Sequence, residues 1–185
     1  MNKRNMFAVA AALMFGFSAL HASAQKDPMV GGAAMYPTKN IVENAVNSKD
    51  HTTLVAAVKA AGLVDTLEGP GPFTVFAPTN EAFDKLPAGT VDTLLKPENL
   101  AQLKKILTYH VVAGKLTAKD IAKQIKAAGG KATLTTVEGG TLTAMMQGGK
   151  LVLTDEKGGT ATVTIANVIQ SNGVIHVIDT VLMPN

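Results

Sequence analysis

An α+β fold, helices first and strands second, is what this 185-residue sequence predicts. Three observations carry that reading. Up to about residue 130, apolar residues recur at spacings of three and four, the helical period. From residue 131, Thr, Val, Leu and Ile gather in short runs separated by Gly-Gly pairs, the texture of strands and hairpin turns. One early apolar run, FTVFA, interrupts the helices without turning the order into alternating strand and helix.

The first 24 residues stand apart. MNKRNM is basic, FAVAAALMFGFSAL is apolar, and HASA ends in a small-residue pattern, together the form of a secretory signal cleaved after Ala24. The apolar run is shorter than the ~20 residues of a spanning helix, so stable membrane insertion is not expected. An exported chain, periplasmic or extracellular and of bacterial type, is expected. Losing Lys3 and Arg4 from 17 basic residues brings the balance against 14 acidic ones close to neutral. A near-neutral chain has no electrostatic case for nucleic acid. With no cysteine, disulfides, thiolate metal sites and cysteine nucleophiles are excluded.

Residues 25–36, within QKDPMVGGAAMYP, are small and Gly-rich, and read as a flexible arm. In NIVENAVNS, Ile41, Val42, Ala45 and Val46 form an apolar helical face. A second helix starts between Asp50 and Thr53, carries Leu54, Val55, Val58 and Ala61 inward, and stops at Gly62. GLVDTLEGPGP reads as a loop. FTVFA is then a buried strand, ended by Pro78, which has no N–H for a ladder. Thr79 is placed to cap a helix NEAFDKL, with Glu81 in its first turn suiting the helix dipole. PENLAQLKKILTYHVV is the clearest helix, with Leu100, Leu103, Leu107 and His110 on one face. LTAKDIAKQIKAAGG is another, with Thr117 and Asp120 as a capping box and Gly129-Gly130 as its stop. ATLTTVE, TLTAMMQ, KLVLTDE, ATVTIANVI and GVIHVID are the strands that follow.

Chemistry-bearing residues are few. Beyond the signal-like segment the histidines are His51, His110 and His176, without metal-motif spacing, and no G-x-S-x-G or phosphate-cradling glycine loop occurs. No cofactor and no catalytic residue is expected, so the chain reads as a non-enzyme. His110 is read first as a buried histidine bound to a structural partner and second as a binding residue. His176 lies in a strand apolar on both faces, where its ring needs a hydrogen-bond partner. Asp179 reads as a turn or network residue. Met145 and Met146 point to opposite faces of one strand.

FTVFAPTNEAFDKLP, LKKILTYHVVAGKL and NGVIHVIDTVLMP, in that order and at that separation, resemble the signature boxes of a fasciclin domain. The resemblance spans residues 37–184. It implies a wedge-shaped β-sandwich of about seven strands with several helices packed along it. It also implies that the first and last boxes lie as adjacent core strands. The residues carrying the signature are Phe73, Phe76, Pro78, Thr79, Asn80, Phe83, Asn172, Gly173, His176 and Asp179. In animal relatives, integrin recognition has been assigned to a Tyr-His region and an Asp-Ile pair. The matching positions here are Tyr109-His110 and Asn167-Val168, the latter lacking the acid, so these four are the candidate partner-binding residues.

The resemblance implies an adhesion or cell-surface and matrix module with a protein or polysaccharide partner. Fold and function remain separate inferences. One domain of modest interface binds transiently, so the chain would self-associate, hold a repetitive polymer, or serve a role other than mechanical adhesion. The alternative is a small-ligand or lipid-binding envelope protein, with Met145, Met146 and Met183 as adaptable pocket liners.

Overall fold

The computed structural model describes residues 27–185, so the signal-like segment and the cleavage position after Ala24 lie outside the described residues. The stretch expected as a flexible arm is a small hairpin instead. Strands β1 (Met29–Val30) and β2 (Ala33–Ala34) pair antiparallel, and Val30 and Met35 are buried. The glycines between them make a turn rather than a break: Gly31 and Gly32 have φ of 57° and 76°. Two buried apolar side chains tie down a segment whose composition suggested freedom.

Helix α1 (Ile41–Ala45) opens with a capping box. The Asn40 side chain accepts from the Glu43 amide and the Glu43 carboxylate accepts from the Asn40 amide, each at 2.8 Å. Its buried residues are Ile41, Val42 and Asn44, not the expected Val46, which is exposed because the helix has already ended. Asn44 is buried because its side chain bonds to both main-chain groups of Tyr36 and to the Gln170 side chain. A 3₁₀ turn (Lys49–His51) leads into α2 (Thr52–Ala60), which buries Leu54, Ala57 and Val58. The expected loop at 62–72 contains α3 (Val64–Glu68). Five residues are too few to display a period, and Leu67, which is buried, holds this turn on the core.

Strand β3 (Phe73–Pro78) is followed by α4 (Asn80–Asp84), with the Thr79 hydroxyl accepting from the Ala82 amide at 3.2 Å. After α5 (Thr90–Leu94), α6 (Leu100–Tyr109) buries Leu103, Ile106, Leu107 and Tyr109. The sequence reading ran this helix on through Val112. It stops at Tyr109, and Val111–Ala113 form β4, antiparallel to β3. Two adjacent β-branched valines suit a strand better than a helix end. Helix α7 (Ala118–Ala127) has its Thr117/Asp120 capping box. Strands β5 (Lys131–Thr135), β6 (Thr141–Gln147), β7 (Lys150–Thr154), β8 (Thr160–Gln170) and β9 (Gly173–Ile178) complete the chain.

The seven strands β3 to β9 form one sheet in the order β4-β3-β9-β8-β7-β6-β5. The two first-to-last neighbours, β3 and β9, are parallel and in register from Phe73↔Gly173 to Pro78↔Ile178. Every other pair in this sheet is antiparallel. The fold is α+β, and its two sheet halves share β8. That strand pairs with β7 through Thr160–Thr162 and with β9 through Val163–Gln170, where two bulges between Val163 and Val168 bend it. The sheet nearly closes on itself, because Val112 bridges Thr136 and the Val137 amide donates to the Val111 carbonyl at 2.7 Å.

Two apolar cores follow from the strand alternation. Val75, Ala77, Ile175 and Val177 face helices α1 to α6, whereas Phe76 and Ile178 face the interior of the curled sheet with Tyr109, Ile121, Leu142 and Leu153. A strand between two cores is apolar on both sides, which is why every residue of β9 is buried.

Candidate functional site

The Tyr-His pair sits where α6 gives way to β4, and its two side chains hold distant segments. The Tyr109 hydroxyl donates to the Thr141 carbonyl at 2.7 Å and accepts from the Glu156 amide at 3.2 Å. Burial pushes its phenol up to about 12. His110 donates from Nδ1 to the Ile106 carbonyl at 2.8 Å and accepts at Nε2 from the Leu182 amide at 3.0 Å. That pair of bonds uses both nitrogens of a neutral ring. Burial holds its pKa down at about 4, with the Ile106 carbonyl pulling the other way.

Asn167 lies in the bulged part of β8 with φ of 61°, a left-handed conformation that Asn tolerates better than most residues. Its side-chain oxygen accepts from the Ala118 amide at 2.7 Å, at the start of α7, and its own amide donates to Nδ1 of His176 at 3.3 Å. Nε2 of His176 donates to the Leu116 carbonyl at 2.9 Å, and the ring stacks on Phe76 with centroids 5.6 Å apart. Burial lowers the His176 pKa. Val168, next to Asn167, is wholly buried.

Thus three of the four candidate partner-binding residues, Tyr109, His110 and Val168, are buried in the fold and present no surface for a partner to touch. Tyr109 and His110 face inward at the junction of α6 and β4, and Val168 lies on the buried face of β8. Asn167 is exposed, on a ledge with Thr164 and Ala166. The ledge is supported from behind by His176.

The signature residues are joints. Asn172 accepts at its side-chain oxygen from the Ile41 amide and donates to the Leu67 and Gly69 carbonyls at 2.7 and 2.9 Å. It fastens α1 and α3 to the turn between β8 and β9. Asn80 accepts from the Thr53 amide and donates to the Lys49 carbonyl, closing the start of α2. Asp179 accepts from the Thr162 amide at 2.8 Å. Phe83 is buried on the inward face of α4, and a Cβ on Gly173 would overlap the Phe73 carbonyl.

Among the described residues no group of three His, Asp or Glu side chains is placed to hold a metal ion. No helix among them is long and apolar enough to cross a membrane. Sequence reasoning missed a cavity of about 70 Å³, lined by residues that include Ile41, His51, Leu54, Val58, Val75 and Ile175. Its walls come from α1, α2, α3, α6, β3, β4, β8 and β9 among others, segments with no common motif, so no local signal announces it. Met145, Met146 and Met183 are not in its lining. Met146 is exposed, and Met183 packs at the edge of the helix-side core.

A model of the fasciclin domain matches residues 49–184. Protein sll1483 of Synechocystis sp. is 50% identical over 161 residues, spanning 86% of this chain and 82% of that protein. The cell surface glycolipoprotein MPB83 of Mycobacterium bovis is 35% identical over 159 residues, 86% of this chain but 61% of that longer one. In fold, the chain resembles a FAS1 domain pair from the insect cell adhesion molecule fasciclin I. The TM-score is 0.69 at 22% identity, covering 78% of this chain and about half (51%) of the pair. The hairpin and α1 precede residue 49, yet their Val30, Met35, Ile41 and Val42 belong to the same helix-side core. On the match of most of its length and on these relatives, the chain belongs to the fasciclin family.

Proposed function

We propose that this protein is an exported, non-enzymatic interaction module that holds a protein or polysaccharide partner at the cell surface or in the surrounding matrix. The observation that carries the reading is the ledge at Thr164, Ala166 and Asn167. It is exposed, bent by two bulges, and fixed from behind by the Asn167 bonds to His176 and Ala118. A surface held in one conformation loses little freedom on binding. The setting agrees with the names of two similar proteins, a cell surface glycolipoprotein and a cell adhesion molecule. The non-enzymatic part is supported by the two buried histidines His110 and His176, whose ring nitrogens are all engaged by main-chain groups. They hold the fold and are not free for proton transfer.

The test is binding of the mature chain to host cells, isolated envelope and matrix polysaccharide, compared with Thr164→Arg and Ala166→Arg. Both positions are exposed, so Ala166→Arg should keep the wild-type melting temperature, Thr164→Arg should lose no more than its 3.3 Å hydroxyl bond to the Val177 carbonyl is worth, and both should lose at least tenfold in binding. Unaltered binding by both variants would move the contact surface elsewhere, and failure to bind any of these materials would sink the proposal.

A further inference from the structure

The near-neutral balance of the chain conceals a local excess of positive charge. Helix α7 turns Ile121 and Ile125 into the core. On the opposite face it carries Lys119, Lys123 and Lys126, all exposed, at spacings of four and three that set them in one line. Lys115 precedes the helix and Lys131 follows it, both exposed, and Asp120 is the only acid from 115 to 131. The Asp120 carboxylate is turned to the start of its own helix, accepting from the Thr117 amide at 3.1 Å and the Thr117 hydroxyl at 2.6 Å. Those two bonds lead in lowering its pKa, and Lys123 and Lys119 come last. Strands β5 and β6, packed against α7, bring no acid to it. The one ion pair among the described residues joins Lys105 to Glu138 and involves none of these lysines.

This arrangement works against the helix. Lys119 and Lys123 repel as like charges four apart, and Lys119 stands in the first turn, where the helix dipole favours acids. A solvent-facing helix supported by its own ion pairs would alternate the signs. We propose that the lysine face of α7 binds a linear acidic polysaccharide, which lies along the helix and neutralises the row. The charges repeat at about 5–6 Å in one line, an interval that a polymer with an acid on each sugar can follow. An extended acidic peptide fits it less well, because its alternate side chains point away. A membrane surface is disfavoured, since the apolar residues of α7 already face the core. Lysine has no planar fork, so the row reads the spacing of charge and not the shape of the acid. This inference rests on the polysaccharide form of the surface reading and extends it. The Ala118 amide, at the head of the lysine row, donates to Asn167 on the ledge.

The experiment titrates the mature chain with alginate, dextran and polyglutamate and follows the backbone amide signals of α7. Alginate should shift Lys119, Lys123 and Lys126. Its affinity should fall roughly tenfold or more between about 0.01 and about 0.15 M NaCl, as the screening length shrinks from ~30 to ~8 Å. Neutral dextran should not bind, and polyglutamate should bind more weakly than alginate. The triple variant Lys119→Gln, Lys123→Gln, Lys126→Gln should lose most of the alginate affinity and of its salt dependence. Its melting temperature should equal or exceed the wild-type value, because the repulsion is gone. Undiminished alginate binding by that variant, or dextran binding as tight as alginate, would overturn the proposal. So would tighter binding of polyglutamate or of phosphatidylglycerol vesicles. Ala166→Leu, on the ledge, should weaken alginate binding without flattening its salt dependence. If Ala166→Leu binds as the wild type does while the triple variant fails, the ledge reading falls and this one stands; the reverse pattern overturns this one alone.

Discussion

The Leu182 amide donates to Nε2 of His110 at 3.0 Å, so a histidine at the end of a helix holds down a segment 72 residues further on. That bond exists only while Nε2 is unprotonated. The consequence is a stability that depends on pH.

Burial holds His110 at about 4, whereas an unfolded histidine titrates near 6.5. Between those values the unfolded chain binds more protons than the folded one. Stability contributed by the neutral ring is therefore full above about pH 6.5 and declines as pH falls toward 4. The loss from His110 alone should reach about 3 kcal/mol. Burial lowers His51 and His176 too, so they act in the same direction. Urea unfolding at pH 7.5 and pH 4.5 should show a clearly lower midpoint in acid; superimposable curves would contradict a neutral buried His110.

Replacing His176 by Ala removes the Nδ1 acceptor of the Asn167 amide, the Nε2 donor to the Leu116 carbonyl, and a ring stacked on Phe76. The expected loss is about 2–4 kcal/mol, combining unpaired buried groups with a cavity. Thermal denaturation measures it. An unchanged melting temperature with weakened partner binding would instead make His176 a recognition residue.

Gly173→Ala places a methyl against the Phe73 carbonyl within the parallel β3–β9 pair. Backbone there cannot step aside without breaking the ladder, so a loss of at least about 1–3 kcal/mol is expected, as for overpacking of a core. Wild-type stability in this variant would show that the two strands can separate locally without cost.

Asn167 separates backbone from side-chain effects. Asn167→Gly keeps the left-handed conformation but loses the bond to the Ala118 amide, whereas Asn167→Ala loses both. The alanine variant should be the less stable of the two by about 1 kcal/mol. If glycine proves equally or more damaging, backbone strain is not what selects Asn here.

What could be read from residues alone follows the range of the interactions. Thr79, Thr117 and Asp120 cap helices within three residues of themselves, so their roles were visible locally. The strand order from β5 to β8 was marked by glycine turns; Gly148 and Gly149, both at positive φ, make one of them. Valines 111 and 112 were misread because they continue an apolar helix pattern, and only pairing with β3 makes them a strand. Likewise the burial of Val30 and Met35 depends on helices that follow them. Tyr109 and His110 were recognised as special, but whether they faced a partner or the core depended on Thr141, Glu156 and Leu182. The His51 cavity is illegible for the same reason, its walls being assembled from elements spread along the chain.

Strand β9 lies between β3 and β8, and it is the last strand of this sheet to leave the ribosome. The middle of the sheet is therefore the final part to become available. Until residue 178 has emerged, β3 and β4 meet the β8–β5 half only at the Val112–Thr136 bridge and the Val137–Val111 bond, and a nascent chain carries two pieces joined at one corner rather than a complete sheet. Closure of the sheet should wait until β9 has emerged and proceed as one late, long-range event. A stop codon shortly before β9 would then remove far more than a terminal strand: it would leave a product with two unsealed sheet edges, a substrate for proteolysis or aggregation.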